Sequence, residues 1–215
     1  MQLDLSSNKL SSVPWDLILE QTSLKKLNVS RNRIQSIPNE VSFKRLKKLA
    51  VLDLSSNLLS KFPAGFVSCK SLKVLKLIHN QIQIIPLEFY ESEQLQESLE
   101  ELNLSSNPLR EVSAQISHFK NLKSLGLANT KVSKLPPQIA DLPLLEQLVC
   151  QGAPLVEPEA AIVSKGVKEV RKYFEGQRGP NLSEGLQSKF GAAFASKFTE
   201  AVAGQLEKGG DVSAI

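Results

Sequence analysis

Two histidines, His79 and His118, and two cysteines, Cys69 and Cys150, are the side chains of the 215-residue sequence best suited to metal binding or nucleophilic attack. Zinc ligands come in closely spaced pairs, and a nucleophilic cysteine or serine needs a base beside it. Neither histidine stands at ligand spacing from either cysteine, and no HExxH, GxSxG, phosphate-binding glycine loop or CxxC occurs. The chain is therefore expected to have no catalytic residues, metal or cofactor. What does recur is asparagine. Asn8, Asn32, Asn57, Asn80 and Asn107 are followed in the same rhythm by Thr130 and Ala153, at spacings of 24, 25, 23, 27, 23 and 23 residues. A side-chain amide offers two donors and a carbonyl acceptor, so its chemistry is the satisfaction of backbone groups.

Something must bring those amides inside. Around each marker runs the frame LxxLxLxxNxL, as in LKKLNVSRNRI (24–34), LAVLDLSSNLL (49–59) and LEELNLSSNPL (99–109). Alternating leucines in LxL point to one side of a short strand and the residues between them to the other. Stacked copies would make a parallel sheet on one side of a coil, burying one leucine ladder on the next. After most markers an apolar-proline pair follows, as in Val13-Pro14, Ile37-Pro38 and Leu135-Pro136. Proline donates nothing to a sheet and fixes its own φ, so it launches a return arm of short turns on the far, convex side. Repeat five has Val112-Ser113 instead and is expected to be looser there. The acidic insertion at 90–101 is expected to lengthen one convex helix. The frame resembles the leucine-rich repeat, with seven copies over residues 1–157, the first incomplete because Met1 falls at its second position. The chain is accordingly expected to be the back end of a longer array. The implied fold is α/β, a leucine-rich repeat solenoid with its parallel sheet on the concave face and a C-terminal helical cap.

Residues 158–176 read as one capping helix, with Ile162, Val163, Val167, Val170 and Phe174 on the inward face. The segment Pro158–Ile162, the pair Lys165-Gly166 and the aromatics Tyr173-Phe174 resemble the closing helix of intracellular leucine-rich repeat proteins. Together with the prolines after the marker, the resemblance extends to the Ras-suppressor-like class, which implies signalling or scaffold adaptors without activity of their own. Residues 177–215 depart from it: a linker precedes Leu182, Leu186, Phe190, Phe194, Phe198, Val202 and Leu206, an every-fourth-residue stripe. It reads as a helix over 183–207, either a second cap or a detachable one.

Composition narrows the partner. A net charge of +4, from 26 basic and 22 acidic residues, disfavours a dedicated nucleic-acid binder. No apolar run approaches membrane-spanning length. The absence of a signal peptide and of cysteine-rich end caps points to the cytoplasm or nucleus. Recognition is expected to fall to outward strand residues on the concave face: Lys26, Asn28, Val51, Asp53, Val74, Lys76, Ile78, Glu101 and Asn103, flanked by Arg31 and His79. Val51, Val74 and Ile78 form an apolar centre inside a charged rim, the anatomy of a protein-binding hot spot. The partner is thus expected to be a protein, as yet unidentified. The alternative is nucleic acid or anionic lipid held by the basic segment 44–48, with Lys44, Arg45, Lys47 and Lys48.

Overall fold

The computed structural model describes residues 1–38 and 41–178. Two units divide the chain, Met1–Tyr173 and Phe174–Ile215. The helix expected over 183–207 lies outside the described residues.

Seven three-residue strands form one sheet in sequence order. They are β1 Gln2–Asp4, β2 Lys26–Asn28, β3 Val51–Asp53, β4 Val74–Lys76, β5 Glu101–Asn103, β6 Ser124–Gly126 and β7 Gln147–Val149. All six pairings are parallel and in register on the central leucine: Leu3, Leu27, Leu52, Leu75, Leu102, Leu125 and Leu148 align across the sheet. Leu27 to Leu125 are at most 1% exposed, so the inward period-two face is the core.

The asparagines hold successive coils together. Asn57 Nδ2 donates to the Leu54 carbonyl in its own coil and the Val29 carbonyl in the preceding one, both at 3.0 Å, while its Oδ1 accepts the Ile34 N–H at 3.0 Å. Asn32, Asn80 and Asn107 repeat the pattern. Asn8, in the first coil, is exposed and reaches only Leu5 and Ser6. Thr130 keeps one bond, to its own coil's Leu127 carbonyl at 2.8 Å.

The residue before each marker is left-handed throughout: Ser7, Arg31, Ser56, His79, Ser106, Asn129 and Gly152 have φ between 52° and 76°. This sharp corner turns the chain off the sheet and delivers the next side chain inward.

Return arms are short. A helix, α1 (Trp15–Leu19), serves the first coil, and 3-10 turns at Phe43–Arg45, Ala64–Ser68, Ala114–His118 and Pro137–Asp141 serve others. An aromatic line runs beneath them, with Trp15–Phe43 at 5.5 Å, Phe43–Phe66 at 5.2 Å and Phe89–Phe119 at 5.2 Å between ring centroids. The insertion makes two helices instead of one longer one, α2 (Leu87–Tyr90) and α3 (Glu93–Ser98). Ser92 causes the break by capping α3 through the Leu95 N–H and donating its hydroxyl to the Val67 carbonyl at 2.7 Å. Repeat five is not looser for want of proline. Ser113 caps the following turn through the Gln115 N–H, and its own N–H is taken up by the Tyr90 hydroxyl at 3.2 Å.

The single closing helix expected over 158–176 is also divided, into α4 (Ala160–Val163) and α5 (Val167–Gln177). Gly166, at φ +101°, adopts a conformation that other residues rarely take and ends the first piece. Val163, Val167 and Val170 are buried, whereas Ile162 is only half-buried. Arg171 reaches back to the carbonyls of Leu142 at 2.6 Å and Leu145 at 3.2 Å. It thereby ties α5 to the last coil.

Candidate functional site

Alternation puts three rows of side chains on the open face of the sheet. Strand starts give Gln2, Lys26, Val51, Val74, Glu101, Ser124 and Gln147; strand ends give Asp4, Asn28, Asp53, Lys76, Asn103, Gly126 and Val149. Two residues beyond β4, Ile78 continues the third row. Val51 and Val74 are paired in register, and with Ile78 they are half-buried rather than fully exposed. Lys76 lies 3.6 Å from Glu101 across the neighbouring strand. Arg31 and His79 are exposed on the left-handed corners, at the rim. The eleven residues singled out from sequence therefore occupy neighbouring positions on coils two to five.

Several polar members are committed to local structure in a way alternation alone does not reveal. One carboxylate or amide oxygen of Asp4, Asn28, Asp53 and Asn103 accepts the N–H two residues on, at 2.8 to 3.1 Å. Each is an Asx turn closing its own strand. Asn28 also donates to Asp4 at 3.3 Å. Hydrogen bonds from the Ser6 hydroxyl and N–H hold the Asp4 carboxyl below its ordinary value. The Asp/Asn-x-Ser spelling in LDLSSN and LNLSSN was the available signal. Lys76 stands in this row without such a role, and its ammonium pairs instead with Glu101 at the centre of the face.

A charge ladder marks the row just before the strands. Lys73 and Lys123 flank Glu100 at 2.7 and 2.8 Å. Hydrogen bonds from Lys123 and then Lys73 bring the Glu100 carboxyl down to about 2. Lys123 is raised by its bond to Glu100, with a further Coulombic pull from Glu146.

The basic segment sits elsewhere. Phe43 and Leu46 bury into the return arm, which leaves Lys44, Arg45, Lys47 and Lys48 exposed there, off the sheet face. Cys69 and Cys150 are buried, and burial pushes both thiols up to about 12. His79 is on a sheet corner and His118 on a return arm. Among the described residues no cluster of three His, Cys, Asp or Glu side chains could hold a metal ion, and no helix is long and apolar enough to cross a membrane.

Known proteins share this construction. One leucine rich repeat profile matches residues 1–59 and 22–82, and a second matches 98–119. The chain is 46% identical over 61 residues to the leucine-rich repeat and fibronectin type III domain-containing protein 1-like protein of Danio rerio, covering 28% of this chain and 9% of that one. It is 33% identical over 152 residues to the probable serine/threonine-protein kinase pats1 of Dictyostelium discoideum, covering 68% of this chain and 5% of that one. The chain thus spans less than a tenth of the length of either relative. Among solved structures, the leucine-rich repeat ectodomain of the Arabidopsis thaliana receptor kinase GASSHO1/SCHENGEN3, in complex with Casparian strip integrity factor 2, superposes with a TM-score of 0.60. That match has 29% identity and covers 70% of this chain and 18% of the other. By its repeats, its register and these likenesses, the chain is built of leucine-rich repeats and has the leucine-rich repeat solenoid fold.

Proposed function

We propose that this chain is a non-catalytic adaptor or scaffold in intracellular signalling, in the cytoplasm or nucleus, that binds a protein partner on the open sheet face. Leucine-rich repeats are in general protein-binding modules, and the ectodomain similar to this chain is itself in complex with another factor. One observation carries the reading. Val51 and Val74 lie side by side on a solvent-facing sheet surface, with Ile78 on the same face beyond Lys76 and with Asp53, His79 and Glu101 around them. An apolar centre that a partner can desolvate inside a polar rim is where binding energy concentrates. The prolines after the markers and the closing segment support membership of the Ras-suppressor-like class, with a closing helix similar to that of leucine-rich repeat-containing protein 40. A photo-crosslinker placed at Val51 should capture a partner in native extract, and Val74→Glu with Ile78→Glu should abolish that capture without changing the circular dichroism spectrum. Buried charge without a counter-ion costs several kcal/mol, so retained capture would remove the sheet face from consideration.

The second reading, nucleic acid or anionic lipid at 44–48, is favoured by the exposure of all four cations on one short arm. Phosphate binding weakens steeply with salt. Retention on heparin or anionic vesicles that is lost between 50 and 200 mM salt and on Lys44→Glu would support it.

A further inference from the structure

Among the described residues no strand pairs with the outer edge of β7, and that edge lines a groove. A cavity of about 650 Å³ runs along residues 146–152 and is also lined by Leu155, Ala160 and Val163. This is the size range of built ligand sites. The backbone there is half used. Leu127 N–H donates to Val149 O at 2.7 Å, Asn129 N–H donates to Gln151 O at 2.8 Å, and Gln147 N–H donates to Lys123 O at 3.0 Å. Gln147, Val149 and Gln151 therefore face β6. By alternation along a parallel strand, Leu148, Cys150 and Gly152 turn their N–H groups outward into the groove. Leu148 is 9% and Cys150 6% exposed. Donors so nearly enclosed call for a partner.

Charge says what kind. The row preceding the strands alternates in sign over the last coils: Lys73, Glu100, Lys123, Glu146. The first three are joined by ion pairs of 2.7 and 2.8 Å. Glu146 ends the row at the mouth of the groove, and no cation among the described residues makes an ion-pair contact with it. In the inner coils a basic residue of this row is followed by leucine two and four positions on, as Lys73 by Leu75 and Leu77, and Lys123 by Leu125 and Leu127.

We propose that the open edge of β7 is a strand-addition site for an extended segment of another protein, running parallel to β7 and reading basic-x-apolar-x-apolar. Its base would meet Glu146 and its carbonyls the outward N–H groups, with apolar side chains against the groove wall. A second copy of this chain is the rival occupant, and the oligomeric state read in the test decides on it. Residues 179–215 lack the pattern: Lys189, Lys197 and Lys208 are followed two positions on by Gly191, Thr199 and Gly210.

The test is fluorescence anisotropy of the full chain with a labelled peptide, Asn-Leu-Lys-Ser-Leu-Gly-Leu-Ala-Asn, and its counterpart with glutamate for lysine. Saturable binding of the first, roughly fivefold weaker for the second, is expected from one partly exposed charge pair. Glu146→Lys, a surface change that leaves the core alone, should reverse the order of the two peptides. Hydrogen exchange at Leu148, Cys150 and Gly152 should slow on binding. The proposal would be overturned by no saturable binding, by an order of affinities indifferent to Glu146→Lys, by protection centred on Val74 and Ile78, or by a dimer that Glu146→Lys dissolves. Full protection of the Leu148 and Cys150 amides in the free protein would do so as well, since the edge would already be occupied.

Discussion

Replacing Asn57 with alanine isolates the amide ladder. The amide makes bonds of 3.0 Å to the carbonyls of Val29 and Leu54 and receives the Ile34 N–H at 3.0 Å. Val29, Leu54 and Ile34 are 0% exposed, so water cannot replace the lost partner without opening the coil. Each stranded buried group costs roughly 1–3 kcal/mol; three at the lower end give about 3 kcal/mol. For a repeat array of this size that corresponds to a fall in melting temperature of roughly 6–12 °C. Asn8→Ala is the informative control. Asn8 makes the same bonds within its own coil, but it is exposed and touches no preceding coil, so its loss should stay under about 1 kcal/mol. Lys44→Ala should shift melting hardly at all. Asn57→Thr should recover about one bond, following the arrangement of Thr130. Far-UV circular dichroism melts with parallel urea titrations measure all four variants. Equal losses for Asn8→Ala and Asn57→Ala would refute the reasoning, because the cross-coil bonds would then contribute nothing.

Other expectations are equally direct. Arg171→Ala should lower stability by about 2 kcal/mol in urea titrations, since it removes two charge-assisted bonds to otherwise uncapped carbonyls. Both bonds leave a single guanidinium nitrogen, Nη2, so Arg171→Lys, with three donors on one nitrogen, should rescue part of the loss. Glu100 has a folded-state carboxyl at about 2, below its ordinary 4.5, so its contribution is complete above the unfolded value and is lost as pH falls through about 2. Urea midpoints recorded from pH 6 down to pH 2 should therefore fall less steeply in Glu100→Gln than in the parent chain. At Gly126, a Cβ would collide with Asn103 Oδ1. Gly126→Ala should force that side chain out of its Asx turn, visible as faster exchange of the Ser105 amide.

The fold could be read from the sequence because the repeat repeats. Seven leucine frames, each weak alone, agree on one register, and burying one leucine ladder on the next admits no other. The left-handed corners were harder to see. Only His79, Asn129 and Gly152 belong to types enriched at φ above zero, while Arg31 and the serines Ser7, Ser56 and Ser106 adopt it because the coil compels them. Gly166 was such a signal in plain sight, and the amphipathic spacing on both sides of it reads as one helix unless the glycine is taken as a stop. For the sheet face, alternation gives which residues point outward but not what each is already doing. The Asx turns of Asp53 and Asn103 depend on an N–H two residues away, and the half-burial of Val51 and Val74 on neighbours some twenty residues distant. The β7 groove arises from the separation between the last coil and α4, a distance no pattern of residue types encodes.

The point where the asparagines stop has a mechanical meaning. Side-chain amides fasten each coil from the second to the fifth onto its predecessor, through Asn32, Asn57, Asn80 and Asn107. From Thr130 onward no marker amide crosses the seam, which is held by backbone ladder, core packing and exposed polar contacts such as Lys123–Glu100 and Lys134–Glu157, with Arg171 as a clasp at the far side. A chain pulled from its two ends should consequently rip in a fixed order. The sixth and seventh coils should peel away at lower force as a first step, followed by a single larger rupture of the fastened block. Restoring an amide by Thr130→Asn should merge the two steps, which would make the solenoid behave as one brittle body under load.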